Sequence, residues 1–105
     1  MAETYKKLAQ GQMDASSGTL YTVPSSTSTI VKYITLTNNT GTARTAQLFH
    51  DGTAASNSIL PAISIVAGGW AEFEGTILME AADTLAGDAE ATSSISYTIY
   101  GLEIT

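Results

Sequence analysis

Hydrophobic and polar residues alternate with a period of two along most of the chain, which is the pattern of half-buried β-strands. The clearest run is residues 29–37 (TIVKYITLT), where Ile30, Lys32, Ile34 and Leu36 are predicted to face the core. The opposite face would carry Val31, Tyr33, Thr35 and Thr37. That second face is too apolar and too poor in charge for a free surface, so we expect it to pack against another segment or another subunit.

Turn signals rich in Gly, Pro, Asn and Ser separate this run from other short strands. We expect Pro61 to place its strand partly at a sheet edge, and a bulge at Gly101 to bring the residues on either side onto one face. Seven or eight short strands at a spacing of about 8–12 residues predict an all-β fold, an antiparallel β-sandwich or jelly roll. The predicted strands are residues 19–23, 29–37, 42–51, 59–66, 70–75, a short strand after a turn at 81–83, and 94–105.

The first 18 residues lack this alternation and end in the turn cluster DASSG. We therefore predict an extended N-terminal arm over residues 1–18 and a single sandwich domain over residues 19–105. The arm would reach a neighbouring subunit, with two apolar anchors and a Lys pair facing acidic partners. Trp70, just after Gly-Gly, is the best candidate among the aromatic residues for an interface or ligand anchor. The predicted interface residues are Lys6, Lys7, Leu8, Met13, Tyr33 and Trp70.

The composition narrows the class of protein. Charged residues make up 13% of the chain, about half the usual quarter, and Ser and Thr together replace them as surface polarity. Hydroxyl-rich surfaces are easier to desolvate than charged ones, which suits burial between subunits. The net charge is −6, and all four basic residues precede residue 45. This acidic balance argues against nucleic-acid binding, which needs a basic patch.

The residues that could carry chemistry are few. With no Cys, disulfides, thiol catalysis and Cys-ligated zinc are excluded. The single histidine, His50, has no nearby nucleophile motif, and we interpret it as a surface residue beside a turn. Glu72 and Glu74 share a strand face and fit a solvated surface better than a glycosidase pair. The acids Asp83, Asp88 and Glu90 match no calcium loop, so we predict no catalytic, cofactor or metal-binding residues.

Nothing in the sequence indicates a membrane segment or a secretory signal. No run of about 18 apolar residues occurs, and the Lys pair near the N-terminus is not followed by an apolar stretch. We therefore expect synthesis in a cytoplasm, and we interpret Asn38-Asn39-Thr40 as a turn and not as a glycosylation site.

Three segments resemble small virion proteins of tailed bacteriophages. They are LAQGQ (8–12), LYTVP (20–24) and IYGLEIT (99–105), within a likeness that extends over residues 5–105. Such proteins are β-sandwich components of the particle, and they include capsid cement or decoration proteins and modules of fibres and tails. The resemblance carries no catalytic residues with it.

What the resemblance implies is a non-enzymatic structural protein of the virion. The first hypothesis is a capsid cement protein that binds the major capsid protein and copies of itself, as a dimer or trimer. The alternative is a tail- or fibre-associated module that binds host-surface carbohydrate through exposed aromatic residues. Neither hypothesis requires a nucleic acid, a membrane or a cofactor.

Overall fold

A computed structural model describes residues 3–52 and 55–105 of the chain. In this part of the chain, strands account for nearly all regular structure, and a single 3₁₀ turn spans Ala55–Asn57. The strands are β1 (Glu3–Gln12), β2 (Gly18–Thr22), β3 (Ser28–Asn38), β4 (Arg44–His50), β5 (Ser58–Ile65), β6 (Trp70–Met79), β7 (Thr84–Ala89) and β8 (Ile95–Ile104).

The eight strands form two four-stranded antiparallel sheets. The first sheet has the order β1-β8-β3-β6 and the second has the order β2-β7-β4-β5. The chain crosses from one sheet to the other at every connection except the one between β4 and β5. Interleaved sheets of this kind are the connectivity of a jelly roll, which confirms the fold class predicted from the sequence.

The core lies between the two sheets and is filled by aliphatic side chains from both. Alternate residues of each strand point inward, so each sheet contributes a layer of branched side chains. Met13, in the connection after β1, is fully buried among them. The apolar residues with 0% of their surface exposed are Met13, Val31, Ile34, Leu48, Leu85, Ile95 and Ile99.

The N-terminal segment is part of the sandwich, and the predicted boundary between an arm and a domain at residue 18 is wrong. Residues Glu3–Gln12 form β1, the edge strand of the first sheet, and they pair with β8 along its whole length from Glu3 opposite Ile104 to Gln12 opposite Ser96. The segment is extended, as expected, because its pairing with β8 keeps it in that conformation. Its polar composition gave no strand signal in the sequence, since most of its side chains point to solvent.

Gly101 is the point where three strands come closest. The register slips by one residue at Leu8 in β1 and at Lys32 in β3, on either side of Gly101. A Cβ at this position would overlap the carbonyl oxygen of Ile30 and would lie 3.0 Å from both Leu8 Cδ1 and Val31 Cα. The predicted bulge therefore lies at the level of Gly101 but in the two neighbouring strands.

The bulge at Lys32 reverses the inward face of β3 along the strand. Ile34 and Leu36 face the core as predicted, but before the bulge Val31 is buried and Ile30 is half-exposed, the opposite of the prediction. A one-residue insertion switches every side chain beyond it to the other face. Lys32 itself leans outward and donates a hydrogen bond to Thr76 Oγ1 at 3.2 Å.

The segment after β3 is a crossover between the sheets and not the hairpin that its Asn-Asn-Thr-Gly sequence indicates. Asn38 is fully buried at its start. Its Nδ2 donates to the carbonyl oxygens of Thr42 (2.9 Å), Ile65 (2.9 Å) and Val66 (3.3 Å), and its Oδ1 accepts from the N–H and hydroxyl of Thr40. This side chain is therefore committed to holding two connections together, and it has no room for a glycan.

A polar network joins the two sheets at the end of the sandwich where β1 and β2 lie. The Tyr21 hydroxyl donates to Glu103 Oε2 at 2.7 Å, and Thr29 donates to Tyr21 at 2.9 Å because the phenol has only one proton. Glu103 Oε1 also accepts from Lys6 Nζ at 3.1 Å. Burial raises the pKa of Tyr21 to about 12, and the hydrogen bond from Tyr21 holds the pKa of Glu103 below its ordinary value.

We expect Tyr21→Phe to lower the free energy of unfolding by about 1–3 kcal/mol at pH 7, since Glu103 and Thr29 lose their partner. The neutral phenol is favoured in the folded state, so its contribution is complete below pH 10 and is lost as the pH rises through about 12. The gap between wild type and Tyr21→Phe should therefore close over this range in urea titrations followed by circular dichroism. A gap that stays constant up to pH 12 would contradict the assignment.

Candidate interaction surface

The outer face of the first sheet carries an apolar row that crosses all four strands. The row consists of Tyr5 on β1, Leu102 on β8, Ile30 on β3 and Leu78 on β6, which are paired in succession by the strand registers. Paired residues point to the same side of a sheet. Tyr5 is 63% exposed and Leu78 is 68% exposed, at the two ends of the row, and the two central residues are half-buried.

A shallow groove of about 580 Å³ lies beside this row. The rings of Tyr33 and Tyr100 form its floor, with centroids 6.2 Å apart and planes tilted by 34°. Tyr5, Lys32, Glu74, Gly75 and Thr76 complete its lining. A hydrogen bond with the Glu72 carboxylate is the main cause that raises the pKa of Tyr33. The bulge at Lys32 creates the groove, because it displaces β3 and β6 from a regular pleat.

Beyond the groove the outer face becomes hydroxyl-rich. Thr35 and Thr37 on β3 lie opposite Thr98 and Ser96 on β8, and all four are half-buried. At these levels the edge strand β1 carries Gln10 and Gln12, and a charge, Glu72, lies only on the other edge, β6. This part of the face can thus be desolvated without burying a charge at its centre, which is the composition that protein interfaces favour.

The structure separates the residues predicted from the sequence into two groups. Tyr33 and Trp70 lie on the outer face, with Trp70 68% exposed at the start of the edge strand β6. Lys7 is exposed on β1 and donates to Gln10 Oε1 at 2.9 Å. These three residues are free to contact a partner, although none is shown to do so.

The other three predicted residues are engaged within the chain. Lys6 forms an ion pair with Glu103, and Leu8 packs over Gly101 against the core. Met13 is completely buried, and its backbone N–H donates to the Ile95 carbonyl at 2.8 Å. Met13 is therefore excluded as an interface residue, because burial in its own core leaves no atom for a neighbour.

Sequence reasoning did not find Tyr5, Leu78, Ile30 and Leu102 as surface residues. Their shared row depends on the pairing of β1 with β8 and on the bulge in β3, and neither can be read from one strand alone. One signal in the sequence pointed to Leu102. The alternation of large residues changes phase after Gly101, and in a strand without a bulge, which β8 is, this places Leu102 on the face opposite Ile99.

The polar residues considered for chemistry are dispersed. His50 Nε2 lies 3.7 Å from Asp83 Oδ2, and Asp83 also accepts from the Glu80 N–H. Asp88 accepts from Gln47 and Ser17, and Glu90 accepts from the Thr45 N–H. Within residues 3–52 and 55–105, no three acidic or histidine side chains gather as a metal site.

In residues 3–52 and 55–105, no helix has the length and apolar character that a membrane span requires.

No protein-family model and no curated protein matches the sequence. The fold is similar to that of a protein of Bacillus endospore appendages, which are disulfide-linked pili, with a TM-score of 0.62 and 19% identity over 98% of this chain and 88% of the other. It is also similar to a capsid chain of Helicobacter pylori bacteriophage KHP30 (TM-score 0.59, 8% identity, 100% and 89% of the chains) and to Tobacco streak virus coat protein (0.54, 7%, 98% and 85%). At these identities the likeness shows the fold, an eight-stranded jelly roll of the kind found in capsid and pilus proteins.

Proposed function

We propose that the chain is a non-enzymatic structural protein of a bacteriophage particle, a cement or decoration protein that strengthens contacts between capsid subunits. Its partners are the major capsid protein and other copies of itself, and its place is the virion. The proposal combines the resemblance of three sequence segments to phage virion proteins with a fold that capsid proteins share.

The observation that carries the proposal is the apolar row across the outer face. Tyr5 and Leu78 are large, apolar and more than 60% exposed at opposite ends of one continuous row. A row of this kind, bordered by hydroxyls and with Lys32 as the one charged side chain that its two central strands carry on this face, is typical of a surface that another protein covers.

The size of the face is sufficient for specific binding. Four strands about 4.8 Å apart, each about ten residues long at about 3.4 Å per residue, give roughly 600 Å². A standard interface buries about 800 Å² on each partner, so the outer face and its rim supply most of one contact. Repetition around a symmetric shell would then add many such contacts.

The proposal predicts that purified protein binds capsid shells of the cognate phage and that Leu78→Asp weakens this binding at least about tenfold, because the contact would then have to desolvate a carboxylate in the apolar row. The matched control is Val66→Asp. Val66 is equally exposed, at 68%, but lies in the turn between β5 and β6. Co-sedimentation and electron microscopy of the shells measure both. Equal effects of the two variants, or no binding by the wild type, would contradict the proposal.

A second function, carbohydrate binding, is favoured by the groove. Three tyrosines, Lys32 and Glu74 in one groove combine stacking surfaces with polar groups, as sugar sites do. The same purified protein applied to a glycan array discriminates the two roles. Binding that Tyr100→Ala abolishes, together with failure to bind shells, would favour a fibre- or tail-associated module.

A further inference from the structure

Both edges of the first sheet are long and open. β1 and β6 each have ten residues, contain no Pro, and in the described part of the chain are hydrogen-bonded on one side only. The edges of the second sheet are protected, since β2 has five residues and is followed by Pro24, and β5 contains Pro61. Unprotected edge strands are templates for pairing with another chain.

The directions of the two open edges match. β1 is antiparallel to β8, β8 to β3 and β3 to β6, so β1 and β6 run in opposite directions. If a second copy continues the sheet with its β1 beside the first copy's β6, the new ladder is antiparallel like all the others.

The side chains on the two edges are complementary level by level. The strand registers place Tyr5 level with Leu78, Gln10 with Glu72, and Gln12 with Trp70. All six are exposed on the outer face. Across a β1–β6 contact these levels would bring together an apolar pair, an amide with a carboxylate, and an amide with an indole.

The fourth level is a pair of opposite charges. Lys7 is level with Glu74. In the described part of the chain neither forms an ion pair, and Glu72, next on the same face of β6, has no basic partner there either. The edge β1 thus offers an unneutralised cation where β6 offers carboxylates, and such complementarity fixes register and orientation.

The lengths agree to within one residue. The stretch from Tyr5 to Gln12 is one residue shorter than the stretch from Trp70 to Leu78. Between the levels of Lys6 and Lys7, β6 has two additional residues, Gly75 and Thr76, and at the next level β1 has one, Leu8. These are the positions at which the two strands already have irregular registers, so the same bulges can absorb the differences across the new ladder.

We propose that copies of this chain associate head to tail, with β1 of one copy pairing antiparallel to β6 of the next and with Tyr5 beside Leu78 and Lys7 beside Glu74. The contact is heterologous, so it generates rings or open filaments and not a closed two-fold dimer. The inference rests on the proposed assembling function and names the contact between copies. Because the sequence has no Cys, no disulfide joins the copies in this contact.

Cysteine crosslinking tests the register directly, since the wild type contributes no thiol. Tyr5→Cys, labelled with ¹⁵N, is mixed with unlabelled Leu78→Cys in a mildly oxidising buffer, and disulfide-linked pairs are weighed by mass spectrometry. We expect mixed pairs in clear excess over their statistical share. Adding Lys7→Glu to the first variant should lower their yield several-fold, and adding Glu74→Lys to the second should restore it.

The matched control replaces Leu78→Cys by Glu72→Cys, another exposed position on β6 that is out of register with Tyr5. Equal crosslinking of the two pairs, or a majority of Tyr5–Tyr5 cysteine pairs, would overturn the proposal. If the chain crosslinks in register but does not bind shells, the head-to-tail contact is supported and the cement role is contradicted. If it binds shells through Leu78 but does not crosslink, the cement role is supported and the head-to-tail contact is contradicted.

Discussion

Replacing Gly101 with alanine is expected to lower the free energy of unfolding by about 4 kcal/mol or more, enough to abolish folding of a small domain. The added Cβ would overlap the Ile30 carbonyl oxygen and press on Leu8 Cδ1 and Val31 Cα. Two of these three contacts are backbone atoms of the adjacent central strand, so no side-chain rotation can relieve them. Urea denaturation followed by far-ultraviolet circular dichroism measures the effect.

Gly41→Ala is the control for this substitution. Gly41 lies in the crossover after β3, has no atom within 4 Å of an added Cβ, and does not have a positive φ. We expect it to change stability by less than about 1 kcal/mol, with a small gain from the less flexible unfolded chain. If Gly101→Ala and Gly41→Ala lowered the free energy of unfolding equally, the close approach of β3 would not be the reason that position 101 requires glycine.

The second large effect is expected for Asn38→Asp. The substitution preserves shape but replaces an amide that donates to three carbonyl oxygens by a carboxylate oxygen that repels them. Leaving a buried charge without its partners costs about 3–5 kcal/mol. Burial disfavours the charged carboxylate, and the protonated carboxyl can donate one hydrogen bond, so both effects should raise the pKa of this Asp. The loss of stability should therefore diminish as the pH is lowered.

Asn39→Asp is the matched control, since Asn39 is the adjacent residue and is exposed, with one hydrogen bond to Ser96 Oγ at 3.3 Å. We expect its effect to stay within about 0.5 kcal/mol. Thermal unfolding of the two variants between pH 4 and pH 8 distinguishes them. A pH-independent loss for Asn38→Asp would mean that shape, and not the amide donors, accounts for the role of Asn38.

The strand content of the fold could be predicted because alternation is a local signal. Five predicted strands coincide with β2, β3, β4, β5 and β8 to within two residues at each end, and the sixth begins at Trp70 as expected but continues to Met79. β1 could not be predicted in this way. Its sequence, ETYKKLAQGQ, is polar because an edge strand keeps most of its side chains in water, and only the ladder with β8 makes it a strand.

The candidate surface was predicted only in part, for a related reason. Tyr33 was recognisable as a large residue on a strand face that lacked charge, and Trp70 as a large aromatic residue just after Gly-Gly. Ile30 and Val31 were assigned to the wrong faces because the bulge at Lys32 is a response to the approach of Gly101 from another strand. Register between strands distant in the chain is a tertiary property, and it decides which side chains form a row.

The central position of β8 has a consequence for the order in which the protein can fold. β8 lies between β1 and β3, and it is the last of the eight strands to leave the ribosome. Until then, β1 has no strand to pair with, although it was synthesised first. The first sheet must therefore close after translation of β8, whereas the strands of the second sheet can pair earlier. Such sequence-distant pairing is slow, and a nascent chain will hold β1 unpaired until β8 has been synthesised.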